Sequence, residues 1–85
     1  MKQVEMFSRP GCGHAERAKR LLGSKGAQFV EFNVWSDPAL MTEMTRRANG
    51  GRTTPQIFIG GAHVGGSDEL HALDRAGRLD KLLAA

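Results

Sequence analysis

Eighty-five residues, 40% of them apolar and 25% charged, suit one small globular domain and exclude a disordered, collagen-like or fibrous chain. Twelve Lys and Arg against nine Asp and Glu leave a net charge of +3, but Arg9, Lys19, Arg46, Arg52 and Arg78 are scattered, with no long basic run and no interleaved aromatics, so nucleic acid is not an expected partner. No apolar run approaches the roughly 18 to 20 residues of a membrane span, the start MKQVEMFSRP lacks a signal-peptide layout, and the lone Cys12 excludes an internal disulfide, so no membrane association and a reducing, cytoplasmic address are expected.

No repeat, low-complexity tract or linker interrupts the sequence, and residues 1–85 read as a single domain. Residues 3–7 (QVEMF) predict a strand, apolar at Val4, Met6 and Phe7 and ended by Arg9-Pro10-Gly11. A helix follows from near Cys12. Over His14 to Lys25 the positions Ala15, Ala18, Leu21 and Leu22 recur at helical spacing, and Gly26 is the expected stop. Gln28 to Val34 predicts a second strand, and strand, helix, strand in that order implies a parallel pair with a right-handed crossover. Asp37 caps and Pro38 opens a second helix with Leu40, Met41, Met44 and Ala48 as its buried stripe, ended by Asn49-Gly50-Gly51.

Gln56 to Ile59 and Ala62 to Gly65 flank Gly60-Gly61, which predicts an antiparallel hairpin. Ser67 is the expected N-cap of a third helix, with Asp68 and Glu69 in an acidic first turn and Leu70, Leu73 and Ala76 facing inward before Gly77. Leu79, Leu82 and Leu83 mark a short terminal helix. The order β-α-β-α-β-β-α predicts an α/β class fold: a mixed four-stranded sheet flanked by helices, compatible with a thioredoxin-like architecture.

Cys12 falls between the first strand and the first helix, where unpaired backbone N–H groups and the positive end of the helix dipole favour a thiolate, and Arg9 adds a cation nearby. A thiolate is both nucleophile and leaving group, as thiol–disulfide exchange requires. A lone cysteine is otherwise a small buried hydrophobe, but Pro10-Gly11 and Gly13 on either side argue against burial in a core. His63 and His71 follow no zinc-ligand spacing, and core or rim packing suffices for Trp35.

Arg9-Pro10-Gly11-Cys12-Gly13-His14-Ala15-Glu16-Arg17-Ala18-Lys19 resembles the active-site turn and first helix of bacterial glutaredoxins. Arg52-Thr53-Thr54-Pro55-Gln56-Ile57-Phe58-Ile59-Gly60-Gly61 resembles their central segment, and His63-Val64-Gly65-Gly66-Ser67-Asp68-Glu69-Leu70 their glycine-acidic signature. Ala72-Leu73 with Gly77-Arg78-Leu79-Asp80 resembles the family's ending, so the likeness covers essentially the whole chain.

The resemblance implies a glutathione-dependent oxidoreductase with Cys12 as nucleophile. It implies a cis proline at Thr54-Pro55, with the Thr54 backbone pairing to the cysteinyl part of glutathione as an added strand would. Gly66, Ser67 and Asp68 match positions around the γ-glutamyl end, where a helix N-terminus meets the carboxylate and Asp68 the ammonium. Arg9 and Arg47 match positions facing the glycine carboxylate, with Arg52 a lesser candidate. His14 stands where the family has an aromatic beside the cysteine, either as a cation favouring the thiolate or as a neutral cover. Implied partners are glutathione and glutathionylated proteins or small mixed disulfides.

The motif departs from the dithiol pattern at Ala15, which stands where the second cysteine would be, so only a monothiol route is open. Ser67 likewise stands where many relatives carry a further cysteine. Gly13 is shared with the Cys-Gly-Phe-Ser subclass that carries iron–sulfur clusters, but His14 and Ala15 do not complete that motif. The alternative reading is therefore a glutathione-ligated [2Fe–2S] protein bridged through one Cys12 from each of two copies; otherwise a monomer is expected.

Overall fold

Val4 and Met6 point to one face of the first strand and Phe7 to the other, and all three are buried, as in a strand covered on both sides. In the computed structural model, which describes residues 1–84, this strand is β1 (Val4–Ser8). It is followed by α1 (Gly13–Ser24), β2 (Phe29–Asn33), α2 (Pro38–Arg47), β3 (Gln56–Ile59), β4 (Ala62–Gly65), α3 (Ser67–Arg75) and α4 (Leu79–Leu83). The sheet runs β2-β1-β3-β4, with β1 parallel to β2 and antiparallel to β3, and β4 antiparallel to β3. This is the mixed, helix-flanked, thioredoxin-like sheet that the element order predicts.

Two cores lie on the two faces. Val4, Met6, Ile57 and Ile59 meet Ala15, Ala18 and Leu22 of α1, Leu70 of α3, and Leu79 and Leu83 of α4. Phe7 and Phe58 meet Val34 with Met44 and Ala48 of α2. The Phe7 ring stacks on Phe32 at 4.9 Å and meets Phe58 edge-on at 5.7 Å. Each fully buried side chain of this size contributes about 1.5 to 3 kcal/mol of hydrophobic stabilisation, and β1 and β3 supply such side chains to both faces. Gly60 and Gly61 turn the hairpin with φ of 59° and 84°, the left-handed pair that a two-residue turn demands.

The structure corrects three local expectations. β1 runs one residue beyond 3–7 at its C-terminal end, because Ser8 still pairs with Asn33 of β2. The N-cap of α3 is Gly66 and not Ser67: Leu70 N–H already bonds to Gly66 C=O at 3.0 Å, which makes Ser67 the first helical residue. Ala76 is exposed at the C-cap of α3 and does not face inward, while Leu79 and Leu83 are the apolar groups buried just beyond it.

Candidate functional site

The strand directions bring four separate stretches to one edge of the sheet. The C-terminal ends of β2, β1 and β4 and the N-terminal end of β3 all lie there, which sets Trp35, Cys12, Gly66–Asp68 and Thr54-Pro55 along one line. Between them opens a cleft of about 600 Å³. Arg9, His14, Thr54, Pro55, Gly66, Ser67 and Asp68 line it, while Cys12 and Arg47 are not among its lining residues.

Cys12 is the N-cap of α1. The first intrahelical bond is Glu16 N–H to Cys12 C=O at 3.1 Å, so the N–H groups of Gly13, His14 and Ala15 lie ahead of it at the thiol's end of the helix. Contrary to the reading from its glycine neighbours, Cys12 is only 3% exposed and packs with the α1 core. Gly11 and Gly13 leave room around the turn, but the side chain itself swings inward to Thr54. Its thiol donates to Thr54 C=O at 3.7 Å, and Thr54 Oγ1 lies 3.8 Å from the sulfur. Once the proton has left, that hydroxyl can donate to the thiolate.

Thr54-Pro55 is the cis peptide bond among the described residues. Its loop is held by Gln56, a buried polar residue whose amide donates to Thr53 C=O at 3.0 Å and to Thr53 Oγ1 at 3.2 Å. The Gln56 carbonyl in turn accepts from His63 Nε2 at 2.7 Å, with the His63 ring 5.2 Å from Phe58. Neither Gln56 nor His63 was assigned to the site from sequence; a glutamine inside the apolar run QIFI was the available signal.

At the start of α3 the Gly66 N–H is taken by the Glu69 carboxylate at 2.7 Å. The N–H groups of Ser67 and Asp68 precede the first bond of the helix, at the mouth of the cleft. Ser67 is buried, and its carbonyl accepts from His71 Nδ1 at 2.8 Å. Asp68 is exposed beside Arg17, 3.6 Å away, a surface pair of small energetic weight.

Arg47 does not join this group. Its guanidinium donates to both oxygens of Glu5, at 2.7 and 3.2 Å, and lies 4.3 Å from the Phe58 ring on the α2 face of the sheet. Arg47 is held by an internal carboxylate and does not line the cleft. Its hydrogen bonds keep the Glu5 carboxyl below the usual carboxylate range. Arg52 lines the cleft in its stead, as do Trp35 and Met41. Behind β1, burial pushes the Glu31 carboxyl up, but Lys19 at 2.8 Å and the Ser8 hydroxyl outweigh it and hold it below the ordinary value.

Among the described residues no group of three or more His, Cys, Asp or Glu is placed to hold a metal ion, and no helix is long and apolar enough to cross a membrane.

The glutaredoxin family model matches residues 4–64. A glutaredoxin of Pseudomonas aeruginosa is 48% identical over 85 residues, covering 100% of both chains. The solution structure of a glutaredoxin from Brucella melitensis superposes with a TM-score of 0.84 at 51% identity, covering 98% of this chain and 89% of that one. A crystal structure of a buckwheat glutaredoxin–glutathione complex superposes at 0.86 with 31% identity, covering 94% of this chain and 74% of that one. The chain is thus alike to glutaredoxins in sequence and in backbone, and it belongs to the glutaredoxin family of thiol oxidoreductases.

Proposed function

We propose that the protein reduces glutathione mixed disulfides by a monothiol mechanism. The observation that carries this reading is the 3.7 Å contact of Cys12 Sγ with Thr54 C=O. It sets the single cysteine of the sequence against Thr54, which lines the same cleft as the start of α3. In the first step the Cys12 thiolate attacks the glutathione sulfur of R–S–S–G; the Cys12–glutathione disulfide forms, and R–S⁻ leaves and takes up a proton. In the second, a glutathione thiolate attacks the glutathionyl sulfur of that adduct, releasing glutathione disulfide and the Cys12 thiolate. The sum is RSSG plus GSH giving RSH plus GSSG, with no second protein sulfur needed.

The tripeptide has a place for each part. Thr54 offers backbone hydrogen bonds to the cysteinyl residue, with Pro55 closing that side of the slot. The N–H groups of Ser67 and Asp68, next to Gly66, receive the γ-glutamyl carboxylate, and the Asp68 carboxylate its ammonium. Arg9 and Arg52 face the glycine carboxylate, and His14 covers the outer side of the sulfur. The glutathione complex of the buckwheat relative supports this reading by its likeness to this chain. The protein works as one domain over residues 1–85, as a monomer, in a reducing compartment such as the cytoplasm, where glutathione is at hand to complete the cycle.

The iron–sulfur alternative would take its protein ligand from Cys12, the one cysteine of the sequence, in each of two copies, with glutathione thiolates as the others.

A turnover assay with a small glutathione mixed disulfide, coupled to reduction of the glutathione disulfide produced, tests the proposal. Activity is expected for the wild-type chain and background rates for Cys12→Ser. Background rates for both would overturn it.

A further inference from the structure

Trp35 stands at the end of the cleft beyond the cysteine turn. Its indole is 65% exposed, although it is the single tryptophan of the chain and lines the same cleft as Thr54 and Asp68. The segment carrying it is anchored: Asn33 Oδ1 accepts from the Trp35 backbone N–H at 2.9 Å, and the Ser36 hydroxyl donates to Asn33 C=O at 2.7 Å. The guanidinium of Arg9 lies 5.6 Å from the indole centroid. Among the described residues neither Arg9 nor Arg52 forms an ion pair, so this end of the cleft carries two uncommitted cations.

The sheet supplies a ruler. Trp35 follows one edge strand, β2, and Asp68 follows the other, β4, with β1 and β3 between them. Strands lie about 4.8 Å apart, so the two ends of the cleft are roughly 14 Å apart. Three extended residues span about 10 to 11 Å, and the γ-linkage of glutathione lengthens its first residue by further bonds. A tripeptide with its γ-glutamyl group at Asp68 and its cysteine at Thr54 therefore ends at Arg9 and Trp35.

We propose, resting on the glutathione reading above, that Trp35 selects for the glycine residue of glutathione. Its ring face holds the Arg9 guanidinium by a cation–π contact so that the cation meets the glycine carboxylate, and it packs against the glycine methylene. The substrate class preferred is then the mixed disulfide of the full tripeptide over that of γ-glutamylcysteine, which lacks this residue.

The test compares two small mixed disulfides with the same leaving thiol, one of glutathione and one of γ-glutamylcysteine, on the wild-type chain, Trp35→Ala and Trp35→Phe. The wild type is expected to prefer glutathione. Trp35→Ala should lower that preference about twofold to fivefold, through KM and not kcat, and Trp35→Phe should restore most of it. The same residue reports directly: coupling glutathione to Cys12 should shift the Trp35 emission more than coupling γ-glutamylcysteine. An unchanged preference in Trp35→Ala, with normal turnover of the glutathione substrate, overturns the role of Trp35 and leaves the proposed function standing. Failure of the wild type on the glutathione substrate overturns both, and the wild-type arm tells the two cases apart.

Discussion

Arg47 clasps Glu5 across the sheet face, with Nη2 2.7 Å from Oε1 and Nη1 3.2 Å from Oε2. Both side chains are about four-fifths covered, at 20% and 22% exposure, so losing the cation strands a largely desolvated carboxylate. Arg47→Ala is expected to cost about 1.5 to 3 kcal/mol in urea unfolding at neutral pH. The Arg47 hydrogen bonds hold the folded-state Glu5 carboxyl below its unfolded value of about 4.3. The contribution is therefore present above that pH and fades as pH falls through the lowered folded value. The gap between wild type and variant should narrow in acid; a gap that stays constant down to about pH 3 would show that packing on Phe58, not the ion pair, carries the effect.

Asp68 is expected to serve recognition more than folding. Its carboxylate is 77% exposed, so solvent screening limits what a contact with the γ-glutamyl ammonium is worth to about 1 to 1.5 kcal/mol. Asp68→Ala should then lower kcat/KM on a glutathione mixed disulfide roughly fivefold to twelvefold, and much less on one lacking the γ-glutamyl group. Equal losses on both substrates would reduce Asp68 to part of the acidic first turn of α3.

The chain of bonds from His63 through Gln56 to Thr53 should behave as one unit. Gln56→Leu leaves the Thr53 carbonyl without its donor and is expected to cost about 1 to 3 kcal/mol of stability. His63→Ala should cost less alone and little more in the Gln56→Leu background, because the bond it removes is already gone. Additive losses in thermal or urea unfolding would show that the two residues act separately.

Restoring a second sulfur tests the helix start. Ala15 sits three residues after Cys12 in the first turn of α1 and is buried on the same core, at the Cα spacing that a disulfide can bridge. Oxidised Ala15→Cys should lose two hydrogens in intact-mass measurement and take up no thiol reagent. Two reactive thiols under excess oxidant would refute that placement.

Much of this was readable in the sequence, for reasons that are local or periodic. The alternation of Val4, Met6 and Phe7, the Gly60-Gly61 turn and the Asp37-Pro38 helix start each follow from a few neighbouring residues, and the observed elements agree to within a residue or so. What escaped is what distant segments decide. Arg47 looks like any exposed helical arginine until β1 brings Glu5 beneath it, and Trp35 looks like packing until the strand order sets it at the end of the cleft. The burial of Cys12 is set in the same way, since Thr54, 42 residues away, supplies the surface it turns to.

That separation has a consequence for the chain as it is made. Cys12 leaves the ribosome before its contact at Thr54, 42 residues later, and before the helix start at Gly66. Until β3 pairs with β1, the Thr54 contact that covers the sulfur is not formed. On the proposed function, the choice of thiol partner then comes only with the pairing of the central strands, and a locally opened chain would keep the sulfur and lose that choice.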